Sequence, residues 1–309
     1  MALHIDPEVE RAMKWVAGVV AHSERPGVGD IALRRAQAAD YARLTVGVPA
    51  PPNVRAQDLE TRGYDGAIVK LRWYGRIDGA RGPAVLYIHG GGMILGSVDE
   101  SHTLVAGYVA ACGVPMLAVE YRLAPEHPHP SPVEDCYAAL QFLSRHEGVD
   151  PSRVAVMGDS AGGGLAAATT LVARDRGGPA IARQLLVYPM LDDRTVSVEP
   201  PLASHLTWSH EDNETGWRAL LGDRADVHEH AAPARARDLS GLPPAYIDVG
   251  QLDLFCAEDI DYARRLGQAG VDVELHVHPG CPHGFDRYAP RAAVTKRAMS
   301  DRLRVLASL

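Results

Sequence analysis

The stretch Arg153–Gly164, RVAVMGDSAGGG, constrains this chain more than any other. A short β-branched strand runs straight into Gly158-Asp159-Ser160-Ala161-Gly162 and from there into an alanine-rich helix. A strand that becomes a helix within one residue needs glycines beside the turn, because the backbone approaches too closely there to admit a Cβ. The turn holds Ser160 in strained backbone with its hydroxyl projecting from the strand end. It also places that serine at a helix N-terminus, where the macrodipole favours developing negative charge. A GxSxG pentapeptide alone is a common turn; the strand before it and the helix after it make Ser160 a candidate nucleophile.

The same alternation runs through most of the chain. Apolar strand-like runs at Ala84–Ile88, Met116–Tyr121, Val154–Met157, Leu185–Tyr188, Ala245–Val249 and Val271–His278 are interleaved with helical patterns, among them Pro132–His146, Ala257–Gln268 and Pro290–Ala307. This is the βαβ rhythm of a mostly parallel sheet with helices on both faces, an α/β fold. Val54–Glu60 and Ala67–Tyr74 alternate like two further strands. Ser131 and Pro132 read as the N-cap and first turn of their helix.

Two stretches fall outside the rhythm. Before residue 50 lie two amphipathic helices: one opened by Asp6-Pro7 with Val9, Met13, Val16 and Val20 on one face, the other running from Asp30 to Tyr41. From Met190 to Gly222 the chain is polar and rich in proline and tryptophan, as an insertion would be. The expectation is a single domain over 1–309 in which about 1–50 and 190–222 pack together over the sheet.

Composition removes several classes of function. A formal charge of −8 with no basic stripe excludes a nucleic-acid partner. The longest uncharged apolar stretch, Thr103–Val119, is broken by Gly113 and Pro115, so no membrane span is expected. Acidic residues stand at the N-terminus where a signal peptide would be basic, which predicts a cytoplasmic protein. Four cysteines (Cys112, Cys136, Cys256 and Cys281) without a CxxC pair predict reduced thiols. His127/His129 and His276/His278 sit at strand spacing, but no cluster of further ligands supports a metal.

Three more features complete a chemistry around Ser160. His89-Gly90-Gly91-Gly92 follows the strand AVLYI, and consecutive glycines allow backbone N–H groups to converge on an anion. No lysine follows, as a phosphate loop would require. With the N–H of Ala161, such donors suit the oxyanion of an acyl transfer. A serine hydroxyl then needs a base, and the base a carboxylate. His283, in the loop after Val271–His278, and Asp253, just after AYIDVG, both lie where the strand ends of an open α/β sheet deliver functional groups. Asp248, Glu258 and Asp259 are the competing acids. The chain order Ser160, Asp253, His283 is that of α/β hydrolases.

Taken together, these segments resemble the bacterial hormone-sensitive-lipase-like esterases of the α/β-hydrolase superfamily. The likeness extends over nearly the whole chain: HGGG at 89–92, EYRLAPE at 120–126, EDCYAAL at 134–140, GDSAGG at 158–163, Tyr188-Pro189, the aspartate loop at 250–255 and His283-Gly284-Phe285. The resemblance implies an eight-stranded mixed sheet under a helical cap, with Ser160, Asp253 and His283 as triad and Gly90, Gly91 and Ala161 as oxyanion donors. It also implies cofactor-free hydrolysis of short- to medium-chain carboxylic esters, and homodimers in many members. Met93 stands where the family has an aromatic residue, which leaves the pocket width open; Met93, Tyr188, Leu206 and Trp208 are the pocket candidates, with Met13 and Trp15 behind them. An amidase or peptidase on the same fold, or a non-catalytic small-molecule receptor, are the alternatives; the receptors related to this family lack the histidine that stands here as His283.

Overall fold

The computed structural model describes residues 3–19, 24–43, 46–76, 82–196, 200–224 and 226–309. In chain order the strands are β1 (Val54–Arg62), β2 (Ile68–Arg76), β3 (Gly82–Ile88), β4 (Met116–Glu120), β5 (Val149–Asp159), β6 (Arg183–Val187), β7 (Ala245–Gly250) and β8 (Val273–His278). The helices are α1 (Pro7–Val19), α2 (Ile31–Ala42), α3 (Val98–Cys112), α4 (Ser131–Leu143), α5 (Ala161–Asp175), α6 (Pro200–Ala203), α7 (His210–Leu221), α8 (Cys256–Gln268), α9 (Phe285–Tyr288) and α10 (Ala293–Ala307). The strands form one sheet in the order β1-β2-β4-β3-β5-β6-β7-β8. β1, β2 and β4 pair antiparallel; from β4 across to β8 every pairing is parallel.

Why the central strands read as unbroken apolar runs is visible in their two faces. Ala84, Leu86 and Ile88 of β3 enter one core with α4, α5 and α8, while Val85 and Tyr87 enter a second with α3 and α10. Val154 and Val156 against Ala155 and Met157 repeat the division on β5. With side chains alternating across a strand covered on both sides, both sets of positions in these two runs are apolar.

The two N-terminal helices go to different places. The Asp6 carboxylate caps α1 by accepting from the N–H groups of Glu8 and Val9, and Val9 is buried in the second core. The Asp6 N–H donates to Gly280 O at 2.8 Å, which fastens α1 beside the loop leading to His283. Val20, expected on the same apolar face, lies outside the described residues. Trp15 is 66% exposed and is not among the residues that line the cavity over Ser160. α2 instead packs against α7: Arg34, nearly fully buried, donates from Nε to Asp212 Oδ1 at 2.8 Å, and the Gly29 N–H donates to Thr215 Oγ1 at 2.9 Å.

One helix start differs from expectation. Pro130, not Ser131, is the N-cap of α4; Ser131 already has its N–H on Pro128 O and stands inside the first turn, so its hydroxyl makes no capping bond. Among the described residues no helix is long and apolar enough to cross a membrane. All four cysteines are free thiols. Burial pushes Cys256 up to about 11 and Cys281 up to about 12, so neither carries the thiolate that redox exchange requires at neutral pH.

Candidate active site

β5 ends at Asp159 and α5 begins at Ala161, which leaves Ser160 alone to make the turn, at φ 57° and ψ −124°. Its neighbours oblige by being glycine: a Cβ on Gly162 would run into the backbone carbonyls of Ile88 and His89, and one on Gly158 into the Gly162 carbonyl. The Ser160 N–H is spent on Val187 O at 2.9 Å, so the strained residue is held by the next strand. Side chains that the sequence separates by up to 123 residues meet at this turn. His283 Nε2 lies 2.9 Å from Ser160 Oγ, and His283 Nδ1 lies 2.8 Å from Asp253 Oδ2. The bonding assigns the tautomer: Nδ1–H donates to the carboxylate, leaving Nε2 to accept the hydroxyl proton.

Each partner is itself held. Asp253 is fully buried, and its second oxygen accepts the Phe255 N–H at 2.9 Å. The rings of Tyr188 and Phe255 stand edge-on to the His283 ring, at centroid distances of 4.8 and 5.1 Å, and limit its rotation. The competing acids are engaged elsewhere or cut off. Asp248 takes two bonds from Arg302 and one from Tyr246. Glu258 accepts the N–H groups of Leu191 and Asp192. Asp259 is wholly buried with neither oxygen hydrogen-bonded.

The glycine turn comes from the end of the neighbouring strand. Gly90 approaches so closely that a Cβ there would lie 2.8 Å from Asp159 O and 3.2 Å from the Ser160 Cβ. Gly91, at φ 119°, occupies a backbone region that L side chains rarely adopt. Ala161 is the first residue of α5, so its N–H has no acceptor within the helix. Asp159 takes a hydrogen bond from Tyr87 and one from Arg287 at 3.1 Å, which braces the turn from the side of β3 and α9.

A cavity of about 240 Å³ opens over Ser160 and His283. Gly90, Gly91, Tyr188 and Trp208 line it, as do Tyr41 of α2, Thr207, Arg287 and Tyr288. Met93 and Leu206 are not among its lining residues. Met93 lies behind the glycine turn, buried in the first core at φ 62°, and Leu206 packs against that core from the 190–222 segment. Tyr41, Arg287 and Tyr288 carried no motif by which they could be singled out: Arg287 and Tyr288 arrive on α9 directly after His283-Gly284, and Tyr41 of α2 meets the Tyr288 ring edge-on at 6.1 Å.

Among the described residues, His276 is the paired histidine whose ring nitrogen gathers with two carboxylates. It lies with Glu274 and Asp301 where β8 meets α10, their ligand atoms within 4.8 Å, but Arg304 already bonds Glu274 there. The site itself is built from alcohol, imidazole, carboxylate and amide N–H. That set has the chemistry to transfer a proton and to stabilise an oxyanion.

A family model described as the alpha/beta hydrolase fold matches residues 85–287. Esterase LipI of Mycobacterium tuberculosis is 38% identical over 252 residues, 78% of either chain. The chain belongs to the hormone-sensitive-lipase-like carboxylesterases of the α/β-hydrolase fold. Ethyl acetate hydrolase of Pseudomonas putida, another relative of this esterase family, is 34% identical over 270 residues, 82% of either chain. A solved bacterial heroin esterase superposes with a TM-score of 0.89 at 37% identity, covering 98% of this chain and 97% of its own.

Proposed function

We propose that the protein is a serine carboxylesterase that cleaves short- to medium-chain esters through an acyl-enzyme on Ser160. The observation that carries this reading is the unbroken relay from Ser160 Oγ through the His283 ring to Asp253, with its hydroxyl end facing the cavity. In the first half-reaction His283 Nε2 accepts the serine proton as Oγ bonds to the ester carbonyl carbon; Asp253 stabilises the imidazolium. The N–H groups of Gly90, Gly91 and Ala161 receive the oxyanion. Collapse expels the alcohol, which takes its proton from His283. Water, deprotonated by the same nitrogen, then attacks the acyl-enzyme and releases the acid.

Cavity size supports small substrates: about 240 Å³ lies below the roughly 300–1,000 Å³ of sites that take drug-sized ligands. A receptor role is disfavoured because a purely binding site has no use for a histidine bonded to a strained serine. Hydrolysis of p-nitrophenyl esters from acetate to laurate tests the proposal, with Ser160→Ala alongside. Turnover is expected to peak at the short chains and to fall about 10⁶-fold in kcat in the variant. A folded protein that turns over no ester, or a variant as fast as the parent, overturns it.

A further inference from the structure

We infer that Thr207 and Trp208 are positioning residues through which the 190–222 segment sets the geometry of both catalytic loops, an inference that rests on the esterase reading. Thr207 Oγ1 donates a hydrogen bond of 2.7 Å to the main-chain carbonyl of His283. That carbonyl is a sensitive point to hold. The next residue, Gly284, has φ 67°, so the chain reverses at once and enters α9 at Phe285. The imidazole's two hydrogen bonds settle how the ring is aimed, while the backbone from which it springs is tied at its carbonyl by a residue of a different segment.

The adjacent side chain grips the opposite loop. The outer edge of the Trp208 ring lies so near Gly92 that a Cβ on that glycine would stand 2.5 Å from Cη2 and 2.6 Å from Cζ2. Gly216 of α7 presses on the same residue, its own Cβ position falling 2.8 Å from Gly92 O. Two consecutive residues therefore touch the loop bearing the base and the turn bearing the oxyanion donors. They are not free to drift. Ser209 and Asp212 close a reciprocal capping box immediately after them, and Arg34 of α2 bonds the same Asp212. Lifting this segment breaks the Thr207 bond and uncovers Gly92 together, so the base and the oxyanion turn are aligned only while the segment is seated.

The test compares Thr207→Val, which keeps the shape and removes the hydroxyl, with Thr207→Ser, which restores it. Three quantities are read: kcat and KM on p-nitrophenyl butyrate, the rate at which a p-nitrophenyl alkylphosphonate labels Ser160, and Tm. Thr207→Val is expected to lose about tenfold in kcat and in labelling rate with KM within about twofold, and Thr207→Ser to recover most of both. Unchanged kcat and labelling in Thr207→Val overturn the inference. So does a loss that follows Tm and that serine does not restore, because packing alone explains it. Should Thr207→Val fail to fold, Thr207→Ala is measured against Thr207→Ser on the same readouts. Absence of ester turnover in the parent would sink the esterase reading, while the labelling rates would still decide the tether.

Discussion

At the scale of single residues, one requirement falls on a position with no side chain. Gly90 lies against Asp159 and Ser160, and a methyl group there would stand 2.8 Å from both Asp159 O and its carboxylate Oδ2. Neither neighbour is free to yield: the carbonyl is backbone, and the carboxylate is held by Tyr87 and Arg287. The glycine turn must therefore retreat, carrying its N–H groups away from the oxyanion. Gly90→Ala is expected to lower kcat/KM by about 10²-fold while the far-ultraviolet circular dichroism stays native. A variant with parental kcat/KM would remove Gly90 from the oxyanion hole.

At the scale of elements, the start of α8 carries two buried acids that oppose each other in logic. Burial pushes the Glu258 carboxyl up from its ordinary 4.5 to about 8, although bonds from Thr195 and the N–H groups of Leu191 and Asp192 pull the other way. Asp259, with no partner for either oxygen, is held well above the usual carboxylate range by burial and by Glu258 beside it. From pH 4.5 to about 8 the unfolded chain has released the Glu258 proton and the folded protein retains it. Stability from this residue therefore falls as pH rises through that window and is level above it. Glu258→Gln keeps an acceptor for both backbone N–H groups, offers Thr195 a donor and removes the titration. Its Tm is expected to exceed the parent's by about 5 °C at pH 9 and by under about 1 °C at pH 5. Parallel Tm curves for the two proteins across that range would contradict the account.

Elements are also the scale at which the sequence is most readable. Strands buried on both faces announce themselves as continuous apolar runs, and GDSAG between such a strand and an alanine-rich helix leaves a single geometry for Ser160. Asp253 and His283 were legible because loops after parallel strands gather at one end of the sheet. Of the four pocket candidates, Trp208 and Tyr188 line the cavity, whereas Met93 and Leu206 pack into the core behind it. The difference lies in side-chain direction, which no motif encodes: Met93 sits at φ 62°, and the turn carries its side chain inward. α2 was visible as a helix, but not that its Tyr41 would reach the cavity, since that depends on Arg34 finding Asp212.

At the scale of the molecule, that same pair decides how the cover sits on the sheet. Arg34 also donates to Gly27 O and Asp30 O, so one buried guanidinium ties the entry to α2, α2 itself and the N-terminus of α7. Asp212 is 22% exposed and keeps the Ser209 N–H when the guanidinium is removed, so truncating Arg34 costs less than the ~3–5 kcal/mol of a fully buried pair. Arg34→Met is therefore expected to speed amide hydrogen exchange in 207–217 and to lower kcat/KM about tenfold, while α5 and the strands around it keep their protection. Equal exchange in 207–217 would mean that the cover is held by other contacts.

The long reach of these ties has a consequence for the growing chain. Arg34 meets a partner 178 residues further on, and Glu8 accepts from the N–H of Ala293, 285 residues further on. At about 5–20 residues per second, a ribosome needs roughly 10–35 s after making Arg34 before Asp212 exists. For that interval the tie between α2 and α7 cannot form, although Arg35 of α2 can already meet Ile94, Ala124 and Glu126. α1 waits longer than α2, because Gly280 and Ala293, whose backbones bond Asp6 and Glu8, are made after Asp212.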